Sequence, residues 1–184
     1  MTIHEDASIL SERLTMRSLT PADEAFYCSL YTDAQVLQHV HGPQSLAEAR
    51  EGFRKVLDDM RQPEFKRRVL VLIDRETQEP IGISSIRMLR DRPGHAEVGT
   101  LLQTGAHERG FGLECSEALI SQAFTRKQID TLVARAANGN AKVEKLMTDL
   151  GFTRGSTRPN GHAEWTVTRD AWSKRAAGKS TQSK

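Results

Sequence analysis

The 184-residue chain is long enough for one domain with a single sizeable core. Its 38% hydrophobic and 27% charged residues are those of an ordinary globular protein, and 26 basic against 24 acidic side chains leave a net charge of +2. That near balance argues against a dedicated nucleic-acid binder, and no apolar run approaches the roughly 20 residues that span a bilayer.

The opening, Met1 to Ser8, is polar and acidic and lacks the basic-then-apolar layout of a secretion signal, so a cytoplasmic protein is expected. Leu14, Met16 and Ser18 then alternate with Thr15, Arg17 and Leu19, which predicts a first strand over 13–19. Thr20-Pro21 reads as N-cap and first helical residue, with Asp23 suited to the positive end of that helix and Phe26 and Leu30 on one face. Ser45 and Glu48 have the spacing of a capping box, and Leu46, Ala49, Phe53, Val56, Leu57 and Met60 repeat with helical period behind them. Val69 to Ile73 is an apolar run of strand length, 74–80 a turn and 81–88 its hairpin partner. Another turn at 90–94 leads to a strand over 96–104. A helix is predicted from 110 to 126, a short strand over 130–136, and a further helix from the stripe Val143, Leu146, Met147 and Leu150, ended by Gly151. Residues 152–156 and 162–168 read as a closing pair of strands. The end, 174–184, is rich in Lys, Ser and Ala, has nothing to bury, and is expected to be a disordered basic tail to a domain spanning 9–170. This order predicts an α/β (α+β) fold with a mixed sheet and helices on both faces.

One stretch carries chemistry. In Leu101-Leu102-Gln103-Thr104-Gly105-Ala106-His107-Glu108-Arg109-Gly110-Phe111-Gly112 a strand ends, a turn with three glycines follows, and a helix begins. Glycine lets a backbone approach a ligand closely, and the unpaired N–H groups of a helix start carry partial positive charge, a combination that suits phosphate. The spacing is neither a Walker loop nor a dinucleotide fingerprint. Taken alone, a phosphate site and a turn that needs glycine only for its geometry remain equal readings.

The surrounding residues resemble the GNAT superfamily of N-acetyltransferases, in particular its Rim-type branch, which acetylates ribosomal-protein N-termini. His107-Glu108-Arg109-Gly110-Phe111-Gly112 is similar to the family's pyrophosphate motif, Gln/Arg-x-x-Gly-x-Gly/Ala, with His107 at the Gln/Arg position. Asn140, eleven residues before Gly151-Phe152, resembles the start of the family's Asn…Leu-Gly-Phe segment. Ala96-Glu97-Val98-Gly99 resembles the Rim-type Ala-Glu-Ile-Gly strand, and Leu10 to Leu19 resembles that branch's opening. The resemblance covers roughly 9–170 with its parts in family order.

It implies a mostly antiparallel central sheet of about seven strands and acetyl-CoA as cosubstrate. A bulge in the strand through Val98 to Thr104 would splay it from its neighbour and bare main-chain groups for the pantetheine arm, with Leu101, Leu102 and Gln103 as candidates. His107, Arg109, Gly110, Phe111 and Gly112 would hold the pyrophosphate. Asn140 would bond the pantetheine or cap its helix, for which Asn is also suited. Glu97 is the candidate general base, acting through water, since an amine must lose its proton before attack and burial raises a carboxylate towards the useful range. Its rival role is a solvent-facing glutamate paired with an arginine such as Arg87. The family's general acid is missing: its serine falls on Val143 and its tyrosine on Leu146, both of which read as core. Cys115 and Ser116 lie beside the cofactor turn in sequence but read as structural, and Cys28 as a small buried hydrophobe. His41, before the second helix, is a substrate-contact candidate; the His39–His41 pair has no third ligand, so no metal is expected. Arg154, Arg158 and His162 crowd the last hairpin, most simply as a solvated face, although the resemblance also implies a hairpin that often edges the acceptor site.

The implied function is direct transfer of acetyl to a primary amine, a protein N-terminus or a small molecule such as a polyamine or an amine antibiotic. The alternatives are a CoA-binding regulatory module with little or no turnover, motivated by Val143 and Leu146, and a different phosphate ligand in the same turn. No nucleic-acid or membrane partner is expected, and a homodimer is compatible with the sequence.

Overall fold

The computed structural model describes residues 8–38, 40 and 42–182, the last four as backbone alone. Eight strands among them form one sheet: β1 (Ile9–Leu10), β2 (Leu14–Ser18), β3 (Arg67–Asp74), β4 (Pro80–Met88), β5 (His95–Leu102), β6 (Thr131–Ala137), β7 (Thr153–Thr157) and β8 (His162–Thr168). Their order is β1-β2-β3-β4-β5-β6-β8-β7, and every paired neighbour is antiparallel except β5 with β6. The strand beyond the expected seven is β1, whose two residues are too short to show any period.

The helices are α1 (Glu24–Thr32), α2 (Ala34–Leu37), α3 (Leu46–Arg61), α4 (Phe111–Phe124), α5 (Ala141–Asp149) and α6 (Arg169–Gln182). Alternation along β3 divides the core between them. Val69 and Val71 pack with Tyr27, Leu30 and Phe53 of α1 and α3, while Leu70 and Leu72 belong to the cluster holding Phe111, Leu119 and Trp172 of α4 and α6. Helices therefore cover both faces. The buried side of α1 is formed by Tyr27, Cys28 and Leu30, with Phe26 only packed along its margin.

Side-chain caps set where α2 and α3 start. Ser45 N donates to Glu48 Oε2 at 2.8 Å and Glu48 N to Ser45 Oγ at 3.3 Å, the reciprocal box expected of that pair. Asp33 Oδ1 accepts from Gln35 N and Val36 N, which begins the four-residue α2, an element too short for periodicity to reveal. At the end of α5 the N–H of Phe152 reaches Met147 O and that of Gly151 reaches Thr148 O, both at 2.9 Å. This is a Schellman motif, and it sets Gly151 at φ +80°, where a Cβ would be strained.

The chain from Lys174 to Gln182 is helical rather than a loose tail. Two residues that composition hides tie α6 down: Trp172 is buried, and the Arg175 guanidinium donates to Asp149 O and to Glu117 Oε1. Among the described residues no helix is long and apolar enough to cross a membrane.

Candidate active site

The sheet opens along one seam. β5 and β6 pair only through His95↔Thr131, Ala96↔Leu132 and Glu97↔Val133, although both strands continue beyond. On its other side β5 stays in unbroken register with β4 from Met88↔Ala96 to Gly82↔Leu102. The separation thus arises from divergence at β6, with no register shift between β4 and β5, whereas the sequence comparison implied a bulge. Main-chain groups alternate in direction along a strand. Gln103 N donates to Ile81 O at 2.9 Å, which directs the N–H and C=O of Leu101 to β4 as well. Leu101 and Gln103 are therefore corrected as main-chain candidates, because β4 already occupies those groups. Thr100 and Leu102 face the seam instead, and Leu102 O is met by His107 Nε2 at 3.0 Å. Gly82 holds this strand close, since a Cβ there would lie 2.4 Å from Leu101 O.

The seam leads to the start of α4. Gly110 is its N-cap at φ +81°, no side chain caps it, and Glu108 just before it also has positive φ, +63°. The first N–H groups of α4 thus lack intrahelical acceptors and sit at the positive end of the helix dipole. Two guanidiniums flank them: Arg109 lies 4.7 Å from the Phe111 ring centroid and Arg13 4.6 Å from it. Arg13 also donates to Arg109 O and to Glu114, which ties the β1–β2 turn to the first turn of α4. A pyrophosphate fits this cradle of bare N–H groups, glycine and two cations. Arg13 was missed in the sequence because it is 96 positions from Arg109.

Between seam and helix lies a cleft of about 540 Å³. Thr100 of β5, Ala134 and Ala136 of β6, Ser116 and Leu119 of α4, and Asn140 with Val143 and Leu146 of α5 form one side. Tyr31 of α1 with Ile83 and Ser85 of β4 line it from the other face of the sheet. Val143 and Leu146, expected as core, are half-buried and face this cleft, so α5 offers it an apolar wall. Asn140 Oδ1 accepts from Val143 N at 3.3 Å, the cap expected of it. Ser116 lines the cleft, in contrast to the structural role read from sequence. Burial pushes the Cys115 thiol up to about 11, and its Sγ–H points to Gly112 O at 3.4 Å. It is therefore no thiolate nucleophile near neutral pH.

Glu97 borders the cleft at the last pair before the strands part. Its Oε2 accepts from Arg87 Nη2 and from Arg135 Nη1, each at 2.5 Å, so the pairing with Arg87 foreseen as its rival role is present together with access to the cleft. Glu164 on β8 continues the charge row by accepting from Arg92 and Arg158. Arg92 first, and then Arg158, hold its carboxyl down at about 2 against the opposing effect of burial. Arg158 is thus engaged rather than merely solvated, Arg154 donates to Asn138 Oδ1, and His162 reaches the cleft. Arg135, Ser85 and Tyr31 escaped the sequence reading, because only strand pairing and the packing of α1 bring them here. His39 and His41 lie outside the described residues; among the described residues no cluster of three or more His, Cys, Asp or Glu could hold a metal.

Comparison with known proteins agrees with this geometry. The acetyltransferase (GNAT) domain model matches residues 13–153. An uncharacterised N-acetyltransferase, p20 of Bacillus licheniformis, is 26% identical over 149 residues, 80% of this chain and 83% of that protein. Spermidine N-acetyltransferase from Vibrio cholerae, solved with CoA and spermine, superposes with a TM-score of 0.74 at 18% identity, covering 88% of this chain and 99% of that one. RimL, a ribosomal alpha-N-protein acetyltransferase solved with coenzyme A, gives 0.75 at 17% identity, covering 90% and 99%. Open seam, uncapped helix start and a family match over most of its length agree: this chain belongs to the GNAT acetyltransferase family.

Proposed function

We propose that the protein moves acetyl from acetyl-CoA directly to a primary amine. The observation that carries this is a cleft open on both faces of the sheet, with an unpaired strand edge and an uncapped helix start on one side and Glu97 at the seam. When bound, acetyl-CoA supplies the acyl group as an activated thioester. Thr100 and Leu102 would pair the pantetheine arm as an added strand does, and Gly110, Phe111, Gly112, Arg109 and Arg13 would hold the pyrophosphate. His107 acts behind them by fixing Leu102 O. A main-chain N–H at the seam would donate to the oxyanion that develops on the carbonyl.

Glu97 would take the amine proton through water, and the ion pairs to Arg87 and Arg135 orient its carboxylate. The residues that α5 turns to the cleft, Val143, Leu146 and Met147, carry no hydroxyl, so a leaving thiolate would take its proton from solvent. The buried Cys115 is not poised for an acyl-enzyme, which favours direct attack. A CoA-binding module without turnover is disfavoured, because it has no use for an opening on the acceptor face. The two cysteines, both buried and unpaired, fit a cytoplasmic setting.

CoA release from acetyl-CoA in the presence of an amine panel tests this. Glu97→Gln is expected to lower kcat by about 10²–10⁴-fold with CoA affinity unchanged. Tight CoA binding without turnover on any amine, or full activity in the variant, would refute the assignment.

A further inference from the structure

A smaller cavity of about 150 Å³ opens from the cleft on the α1–α3 side of the sheet. The two share Tyr31, Ser85, Glu97 and Gly99, so a molecule seated in one reaches the other. The wall of the smaller cavity carries Arg67 of β3 and Arg87 of β4, which stand directly opposite each other in the strand register. Like charges in that relation destabilise a sheet unless something offsets them. Offsetting charge is sparse: Asp59 lies 3.5 Å from Arg67, and Glu97, 2.5 Å from Arg87, is divided with Arg135. Among the described residues lining cavity and cleft, Glu97 is the single carboxylate, set against Arg67, Arg87 and Arg135.

The geometry points to an acceptor that is a small amine bearing its own acid group, with that group held by Arg67 and Arg87 and the amine at Glu97 and Gly99. This rests on the acetyltransferase reading above and names its substrate class. A polyamine or amine antibiotic would bring further positive charge beside three guanidiniums and find one carboxylate already committed to two of them. A carboxylate matches the planar fork of a guanidinium and relieves the repulsion between Arg67 and Arg87. The small volume suits an acceptor of amino-acid size rather than a folded chain end. In the transfer the C–N bond forms as the C–S bond breaks. The amine proton leaves through Glu97, the sulfur takes a proton from solvent, and the acid group is unchanged.

The test uses the full chain saturated with CoA for calorimetry, and with acetyl-CoA for CoA release. The probes are amino acids, their amides, phosphoethanolamine and spermidine. Amino acids are expected to bind, and to be acetylated, at least about tenfold better than their amides or spermidine, in line with one charge-assisted hydrogen bond. A stronger response to phosphoethanolamine keeps the anionic class and assigns the pocket to phosphate. Arg87→Gln and Arg67→Gln should each erase the preference for the acid over its amide while CoA affinity is retained, and Arg87→Lys should restore part of it. Spermidine or amides bound as well as acids, or a preference that survives both substitutions in folded protein, overturns the inference. Anionic amines that bind without being acetylated would instead count against the transfer reading and leave the pocket assignment standing.

Discussion

At the scale of single residues, Gly110 leaves the first N–H groups of α4 uncovered. It ends the turn at φ +81° and caps the helix without offering a side chain to its N–H groups. An alanine there would sit in a conformation costing roughly 1–2 kcal/mol, and its Cβ would meet Arg13 Nη2 at 3.3 Å. Gly110→Ala is therefore expected to lower the melting temperature modestly and to weaken CoA binding about tenfold or more. Calorimetric titration checks this, and an unchanged Kd would mean the pyrophosphate lies elsewhere. Glu97 illustrates the opposite case, since its neighbours decide its role. The sequence offered a choice between base and ion-pair partner; the structure shows the pair with Arg87, adds Arg135 as a second partner 38 residues away, and leaves Glu97 bordering the cleft.

At the scale of elements, what was legible depended on distance along the chain. Ser45 with Glu48 and Asn140 with Val143 N are bonds within three residues, so the starts of α3 and α5 could be read directly from residue types, whereas Thr20 with Asp23 heads a 3-10 turn, Pro21–Asp23, that precedes α1. Gly151 was legible for the same reason. The direction of main-chain groups in β5 was not, because it depends on which partner atom Gln103 N meets on β4. That is why Leu101 and Gln103 were chosen beside Leu102 and Thr100 was not, although Thr100 and Leu102 are the two that face the seam. Val143 and Leu146 show a second limit. A helical stripe shows that residues share a face, but it does not distinguish a packed core from the wall of a cleft. For α6, low hydrophobicity suggested disorder, while Trp172 and Arg175 suffice to dock it.

At the scale of the molecule, a charge row crosses four strands from Arg87 on β4 through Glu97 and Arg135 to Glu164 on β8, with Arg92 and Arg158 beyond. Because the Glu164 pKa is depressed to about 2 in the folded chain, its contribution to stability is complete above the ordinary glutamate value of 4.5 and is lost as pH falls through about 2. Urea unfolding followed from pH 6 downward should show stability declining below about pH 4.5. Glu164→Gln should be less stable near neutrality and lose less on acidification; an equally steep acid limb would contradict the assignment. The seam between β5 and β6 has a consequence of its own. Sheets usually guard their outer edges against strand addition by other chains, and here an unguarded edge lies inside the sheet. Whatever fills the seam also closes it to a stray strand, so CoA should act as a protectant against self-association. Light scattering on warming is expected to rise earlier in the ligand-free protein than in its CoA complex, by more than the difference in their melting temperatures explains. The substrate groove and the aggregation hazard would then be one surface, open only between turnovers.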